Sequence, residues 1–249
     1  MTRNEIAAIP TPAPMGARHK PVPYGDFIDL TQDALDHVGL AVRDEQYGAL
    51  KDGKRFFGLL EVAPKFADAD ERFGLMVGLR ASHDQSFARG LVVGSRVFVC
   101  DNLAFSGEIS INTKQTLNIT DRLPGMVYNA VETIPGHFEV QHKRFDRYRE
   151  VELAPKDGDH ALIEMVRRDV LSGSALGKAL EEWDHPTYEE HAEDGMSVWR
   201  LMQAVTHALK APVDPETKLP TRPAAPMAME KTVRMTRFLD EVADFKLAA

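Results

Sequence analysis

Ser82, His83, Asp84 and Ser86 form one short polar run, and Cys100 and Asn102 follow it after an apolar stretch. Serine, histidine and aspartate are the parts of a hydrolytic triad, and His83, Asp84 and Cys100 are permissible metal ligands. Contiguity supplies neither geometry. Neighbouring residues on a strand point to opposite faces, so a run of adjacent side chains does not converge on one reacting atom. The G-x-S-x-G of a nucleophile elbow is absent, and so are C-x-x-C and H-x-x-x-H spacings. A hydrolase or metal site at His83 and Asp84 therefore ranks third among the readings, and no catalytic residue or metal ligand is assigned. The simpler role for this run is to shape a turn, with Ser and Asp side chains bonding to nearby backbone. Cys100, at the end of an apolar alternation, suits a small buried hydrophobe better than a reactive thiol. Asn102 suits a turn, or an amide presented to a ligand.

A second chemistry is the holding of phosphates. Residues 142–149, HKRFDRYR, supply Lys143, Arg144, Arg147 and Arg149 with Phe145 and Tyr148 between them. Cations neutralise phosphates while exposed rings stack on unpaired bases. The competing reading is a solvated helix face with two core aromatics. Lys231, Arg234 and Arg237 make a further basic sector near the C-terminus. No G-x-x-x-x-G-K-[ST] loop occurs, and Gly74, Gly78, Gly90 and Gly94 lie inside strand-like runs, so no nucleotide cofactor is expected.

The elements that must position these residues follow from periodicity. Leu75, Val77, Leu79 and Ala81 alternate before the polar run, and Leu91, Val93, Val97 and Val99 after it, which predicts two strands with the run between them. Upstream, Phe27, Leu30, Ala34, Leu35 and Val38 recur at helical spacing, with Asp26 able to cap the start and Gly39 the end. Leu40–Leu50 and Arg55–Val62 flank Asp52-Gly53, a hairpin dipeptide. The segment 108–119 predicts a further strand pair through Ile109, Ile111, Leu117 and Ile119. The expected fold is α+β: one helix, an antiparallel meander of about four to six strands, then a mostly helical C-terminal half.

In that half, Val127, Ala130, Val131 and Ile134 form a stripe broken at Pro135-Gly136. Asp159 is placed to cap a helix burying Leu162, Ile163, Val166 and Val170 and stopped by Gly173, and Ser174 to cap the next. Trp199, Met202, Thr206 and Leu209 predict another helix, and Met235, Phe238, Leu239, Val242 and Phe245 one face of a terminal helix. The domain reading is a flexible proline-rich arm over 1–23, a core over 24–210, a proline-rich linker over 211–226 and a helix over 227–249.

The 249 residues carry a net charge of −8, which argues against a protein that coats nucleic acid through overall charge. Seven acids without a Lys or Arg lie between Glu181 and Asp194, leaving about −1 for the remainder, so a local basic face is allowed. A single cysteine precludes an internal disulfide and suits a reducing cytoplasm. No apolar run reaches the ~18 residues of a membrane span.

The S-H-D-x-S run, followed by V-C-D-N, resembles the phage- and plasmid-encoded proteins of the domain of unknown function 932 family, whose members carry a similar N-S-H-D-G-S-S and C-x-N. Ala81 and Gln85 stand where that family usually has Asn and Gly. A W-x-x-x-x-A-x-T-like segment at Trp199 is similar too. The resemblance runs from about Tyr24 to about Ala211 and marks Ser82, His83, Asp84, Ser86, Cys100 and Asn102 as motif residues. The element order is also similar to the core of phage single-strand annealing recombinases. The resemblance implies a cytoplasmic, homo-oligomeric protein of mobile elements that binds single-stranded DNA in recombination without ATP. The alternative is an interaction module whose acidic segment 181–194 blocks a host defence complex.

Overall fold

A computed structural model describes residues 1–65, 73–97, 102–210 and 225–248. The fold is α+β: helix, then a five-stranded antiparallel sheet, then a mostly helical C-terminal half. The chain divides into two compact units, Met1–Gly94 with Glu108–His137, and Ser95–Gly107 with Phe138–Ala249.

Along the chain α1 (Arg3–Ala7) and α2 (Tyr24–His37) precede β1 (Leu40–Leu50), β2 (Arg55–Pro64), β3 (Phe73–Ser82), β4 (Arg89–Val97) and β5 (Asn102–Thr113), of which the first unit holds β4 up to Gly94 and β5 from Glu108. The sheet order is β1-β2-β3-β4-β5, a pure meander. Its central strand, β3, buries Leu75, Val77, Leu79 and Ala81 as the alternation predicts, but Met76 is buried on the other face as well. Phe27, Ile28, Ala34 and Leu35 of α2 are fully buried. Gly39 ends the helix in the left-handed region at φ +78°, as expected, whereas Asp26 sits in the first turn and Pro23 occupies the N-cap.

The β1–β2 connection uses Asp52-Gly53 as its sequence suggests. Asp52 and Gly53 have φ +55° and +81°, and the Lys54 N–H donates to the Lys51 carbonyl at 3.1 Å, the pattern of a type I′ turn. Lys51 also takes φ +52°, so ladder pairing closes only at Leu50 and Arg55.

Two expectations fail here for identifiable reasons. Residues 108–119 form no strand pair: β5 takes the first part, and Ile119 turns inward as the first residue of α3 (Ile119–Glu132). The proline-rich arm is packed against the unit. Thr2 and Glu5 form a capping box for α1, Ile6 is fully buried, and His19 bridges to Thr116. Its prolines set extended backbone between anchored points.

The second unit is built on α4 (Ile134–Glu150) from Phe138 onward, α5 (Pro155–Arg167), α6 (Gly173–Asp184), α7 (Glu189–Glu193), α8 (Val198–Leu209) and α9 (Ala225–Ala248). Pro135 lies in the first turn of α4, where a missing N–H costs nothing, and the break from α3 falls at Thr133. Pro155, not Asp159, starts α5, and Ser172, not Ser174, caps α6 by accepting from the Ala175 N–H. Helix α5 ends at Arg167, ahead of Gly173. Helix α8 is the core of this unit, buried on nearly every side. Ile163 and Phe245, expected inside, are exposed. The greater part of the expected linker, residues 211–224, lies outside the described residues.

The tightest packing joins α5 to α6. Gly158 lies under the fully buried Trp183, and a Cβ there would fall on the indole ring. Gly158→Ala is therefore expected to destabilise by about 1–3 kcal/mol, against the ~1 kcal/mol that alanine adds to helix propensity. Urea unfolding of the variant measures it, and a gain in stability would show that the ring moves freely.

Candidate functional site

The polar run occupies the turn from β3 to β4, and α2 organises it. The Tyr24 hydroxyl donates to the Lys54 carbonyl at 2.9 Å, while the His83 N–H donates both to that carbonyl at 2.8 Å and to the Tyr24 oxygen at 3.1 Å. The His83 imidazole stacks on the Tyr24 ring with centroids 3.9 Å apart, and Phe56 stacks near Tyr24 at 5.1 Å. Ser82 closes the turn: its hydroxyl donates to the Phe87 carbonyl at 2.8 Å and accepts from the Phe87 N–H at 3.2 Å. Asp84 accepts from the Ser86 N–H at 3.0 Å and from Arg55 Nε at 3.0 Å. Gln85 takes φ +57° between them.

These bonds answer the triad question. Ser82 and Asp84 are committed to backbone and to Arg55, and the His83 ring bonds to neither. The arrangement does not pass a proton from serine to histidine to aspartate. Among the described residues no group of three His, Cys, Asp or Glu side chains could hold a metal. Cys100 lies outside the described residues, and Asn102 begins β5.

The sequence did not disclose what lies beneath the turn. Arg89, the first residue of β4, is fully buried, with its guanidinium 4.6 Å over the Phe27 ring and Nη2 donating to the Val22 carbonyl at 2.9 Å. Burial lowers its pKa to about 10, so it remains a cation at neutral pH. His19 is buried alongside. Burial, then the neighbouring Arg89 and His19, lower the His83 pKa to about 4. Burial pushes the Tyr24 phenol up to about 12. Burial acts to raise the Asp84 carboxyl as well, but hydrogen bonds from Ser86 and Arg55 outweigh it and hold the carboxyl below the usual range.

Around this core one end of the sheet gathers cations. The 51–54 turn, the 83–88 turn, the residues after β5 and the arm meet there, tied by the Gln115 side chain, which donates to the Ser82 carbonyl at 2.6 Å and accepts from the Val22 N–H at 2.8 Å. They bring Arg18, Lys20, Lys51, Lys54, Arg55 and Lys114 together, against Asp52 and Asp84. Helices α2 and α3 both begin at this end, and neither has a side-chain cap. Arg122 adds a cation, and Asp26 and Asp121 add two acids, so the balance stays positive. These lysines are scattered over the sequence, and only the strand pairing assembles them.

The 142–149 segment is arranged otherwise. Phe145 and Tyr148 are buried, 2% and 0% exposed, so neither ring can stack on a base. Phe145 packs edge-on to Trp199. The Tyr148 hydroxyl donates to Asp240 Oδ1 at 2.8 Å, and Arg144 and Arg147 reach the same oxygen at 3.1 and 2.7 Å. Arg147 also pairs with Asp244 at 2.8 Å, Lys143 with Glu139 at 2.8 Å, and the Arg149 guanidinium lies 4.2 Å over Trp199. The expected stacking platform is thus a helix contact between α4 and α9. On α9 itself Arg234 and Arg237 face outward, Arg234 lying 3.7 Å from Asp169, and Lys231 is half-buried.

No protein-family model matches the chain, and no curated protein or solved structure does either. No helix among the described residues is long and apolar enough to cross a membrane.

Two outcomes follow from this geometry. His83 stays neutral in the fold down to about pH 4, while in the unfolded chain it takes a proton near its ordinary 6.5. Between those values the unfolded state binds more protons, so stability falls as pH drops from about 6.5 to about 4. His83→Phe keeps the ring stack and removes the titration. Urea unfolding across that window should show a shallower decline for the variant than for the wild type, and parallel curves would remove His83 as the cause. Separately, Asp240→Ala should destabilise by about 1–3 kcal/mol, because it strips a buried hydroxyl and two guanidinium groups of one acceptor. An unchanged urea midpoint would mean that α9 is held by apolar contacts alone.

Proposed function

We propose that the chain binds a nucleic-acid strand across the basic end of its sheet, acting as an ATP-independent single-strand binding or annealing protein. The observation that supports this reading is the clustering of Lys51, Lys54, Lys114, Arg18 and Lys20 beside two helix N-termini without side-chain caps. Of these, Lys51, Lys54, Lys114 and Arg18 have no ion pair among the described residues, so their charge is available to a polyanion. Oriented helix ends add positive potential at the same place. Recognition there is chiefly of phosphate, because among the described residues the ring beside these cations, Phe87, is half-buried and lies under Arg55. The resemblance of the S-H-D-x-S and V-C-D-N residues to a family of mobile elements points the same way.

A second reading rests on Glu181, Asp184, Glu189, Glu190 and Glu193, all exposed on α6 and α7, which suit docking on a basic protein. It requires no affinity for oligonucleotides.

Fluorescence anisotropy with a labelled single strand over a series of salt concentrations separates the two. Exchanging Lys51, Lys54 and Lys114 for glutamine should weaken binding and flatten the log–log salt slope by about 2, near 0.7 for each phosphate that is no longer neutralised. Arg144→Ala with Arg147→Ala should leave binding unchanged at a concentration where the fold is intact. Loss of binding in that pair, and none in the lysine variant, would move the site to α4. Annealing also requires more than one copy on a strand, which mass photometry of the same sample reads directly.

A further inference from the structure

Beneath the basic end, five buried nitrogens have no hydrogen-bond partner among the described residues: Nε2 of His19, both ring nitrogens of His83, and Nε and Nη1 of Arg89. Buried donors without partners oppose folding, and a buried cation without a carboxylate opposes it more. Packing alone does not ask for these residues. A methionine would fill the place of Arg89 over Phe27, and a phenylalanine would stack on Tyr24 as well as His83 does.

The protonation pattern says what the cluster lacks. His19 Nδ1 accepts from the Met15 N–H at 3.0 Å, so its proton resides on Nε2, which is therefore a donor. Arg89 contributes Nε–H and the Nη1 hydrogens, donors only. Neutral His83 contributes one donor and one acceptor. The cluster is rich in donors and carries one full positive charge; its one charge-bearing member donates to the Val22 carbonyl and lies over Phe27, and Asp26 acts on it through space without a hydrogen bond. Its complement is a compact, multiply accepting anion.

We propose that Arg89, His83 and His19 form a subsite for a tetrahedral oxyanion: free phosphate or the terminal phosphate of a strand. Each of the three is at most 8% exposed, which rules out the middle of a chain of phosphodiesters and selects an isolated group or an end. Entry requires the arm to shift, since Val22 meets the Arg89 guanidinium and the arm is tied to the unit through the Gln115 side chain and the His19 bridge to Thr116. The anion takes the place of the Val22 carbonyl on the guanidinium and adds the neighbouring donors. The subsite lies under the strand-binding face without depending on it.

Thermal unfolding of the full chain in inorganic phosphate, against chloride at matched ionic strength, tests this. The wild-type Tm should climb with the logarithm of phosphate concentration, and Arg89→Met should abolish the climb while keeping a baseline Tm at least as high. Should Arg89→Met fail to fold, the ring signals of His19 and His83 in nitrogen-edited NMR of the wild type take its place: both should move on addition of phosphate and not of chloride. No phosphate-specific change in Tm, or ring signals that stay put, would overturn the proposal. Oligonucleotides bearing a 5′-phosphate or a 5′-hydroxyl then identify the source. At least a fivefold preference for the phosphorylated end, abolished in Arg89→Met, assigns a strand terminus, and equal affinity alongside a phosphate-dependent Tm assigns the free ion. The lysine variant described above should keep the phosphate response while losing strand affinity, so failure of either reading is visible apart from the other.

Discussion

The backbone oxygen of Lys54, at the tip of the β1–β2 hairpin, accepts from the Tyr24 hydroxyl and from the His83 N–H, and so joins α2, the hairpin and the β3–β4 turn at a point. The first unit hangs on that carbonyl. A tyrosine at the start of α2 is the side chain that can reach it while also offering a ring face to His83 and Phe56. Phenylalanine would keep the stacking and leave the His83 N–H one acceptor short. Because both turns are fixed to the same helix, Lys51 and Lys54 of the hairpin keep a set position relative to the His83 turn. A positive surface with defined spacing can then be built from loops without rigid loops of its own.

The same constraint explains why a costly group is tolerated. Arg89 opens β4 directly after the turn that Tyr24 anchors, so its side chain is delivered inward between α2 and the arm, whatever its polarity. An arginine placed there loses water, and no carboxylate hydrogen-bonds to it, although Asp26 attracts it through space. Hydrogen bonding to Val22 and contact with the Phe27 ring offset only part of that loss. In the second unit the opposite solution is seen: the guanidinium groups of Arg144 and Arg147 converge on the carboxylates of Asp240 and Asp244 near the surface. Arg200 shows a third arrangement, donating to the Trp183 and Asp184 carbonyls, whereas Arg89 keeps Nε and Nη1 without a hydrogen-bond partner among the described residues.

Much of this fold was legible because its signals are local. Alternation at Leu75 to Ala81, the Asp52-Gly53 dipeptide and the stop at Gly39 each depend on residues a few positions apart, and each is realised. What was not legible depends on partners far along the chain. The HKRFDRYR segment looks like an exposed basic and aromatic strip until Asp240 and Asp244, more than ninety residues away, are brought against it by α9. The helix starts differ from Asp159 and Ser174 because α5 begins at Pro155 with no side-chain cap, and Ser172, two residues ahead of Ser174, is equally able to cap α6. The prolines of the arm said nothing of Ile6, whose buried side chain anchors α1.

The S-H-D-x-S run shows how a sequence can carry the right residues for one chemistry and use them for another. A triad requires the histidine to face both its partners, whereas strand geometry sends Ser82 and Asp84 away from His83, each to a partner that shapes the turn. That leaves the imidazole turned inward against Tyr24, neutral, and beside a buried cation. A base in that position is a poor proton acceptor, since the neighbouring charge disfavours its protonated form. As a hydrogen-bond donor to an anion already attracted by Arg89 it is well suited, because it adds a directed contact without adding a second positive charge to desolvate. The serine and the aspartate then serve by holding the turn that aims the histidine, so the residues that look like a catalytic set act in sequence as frame and ligand contact.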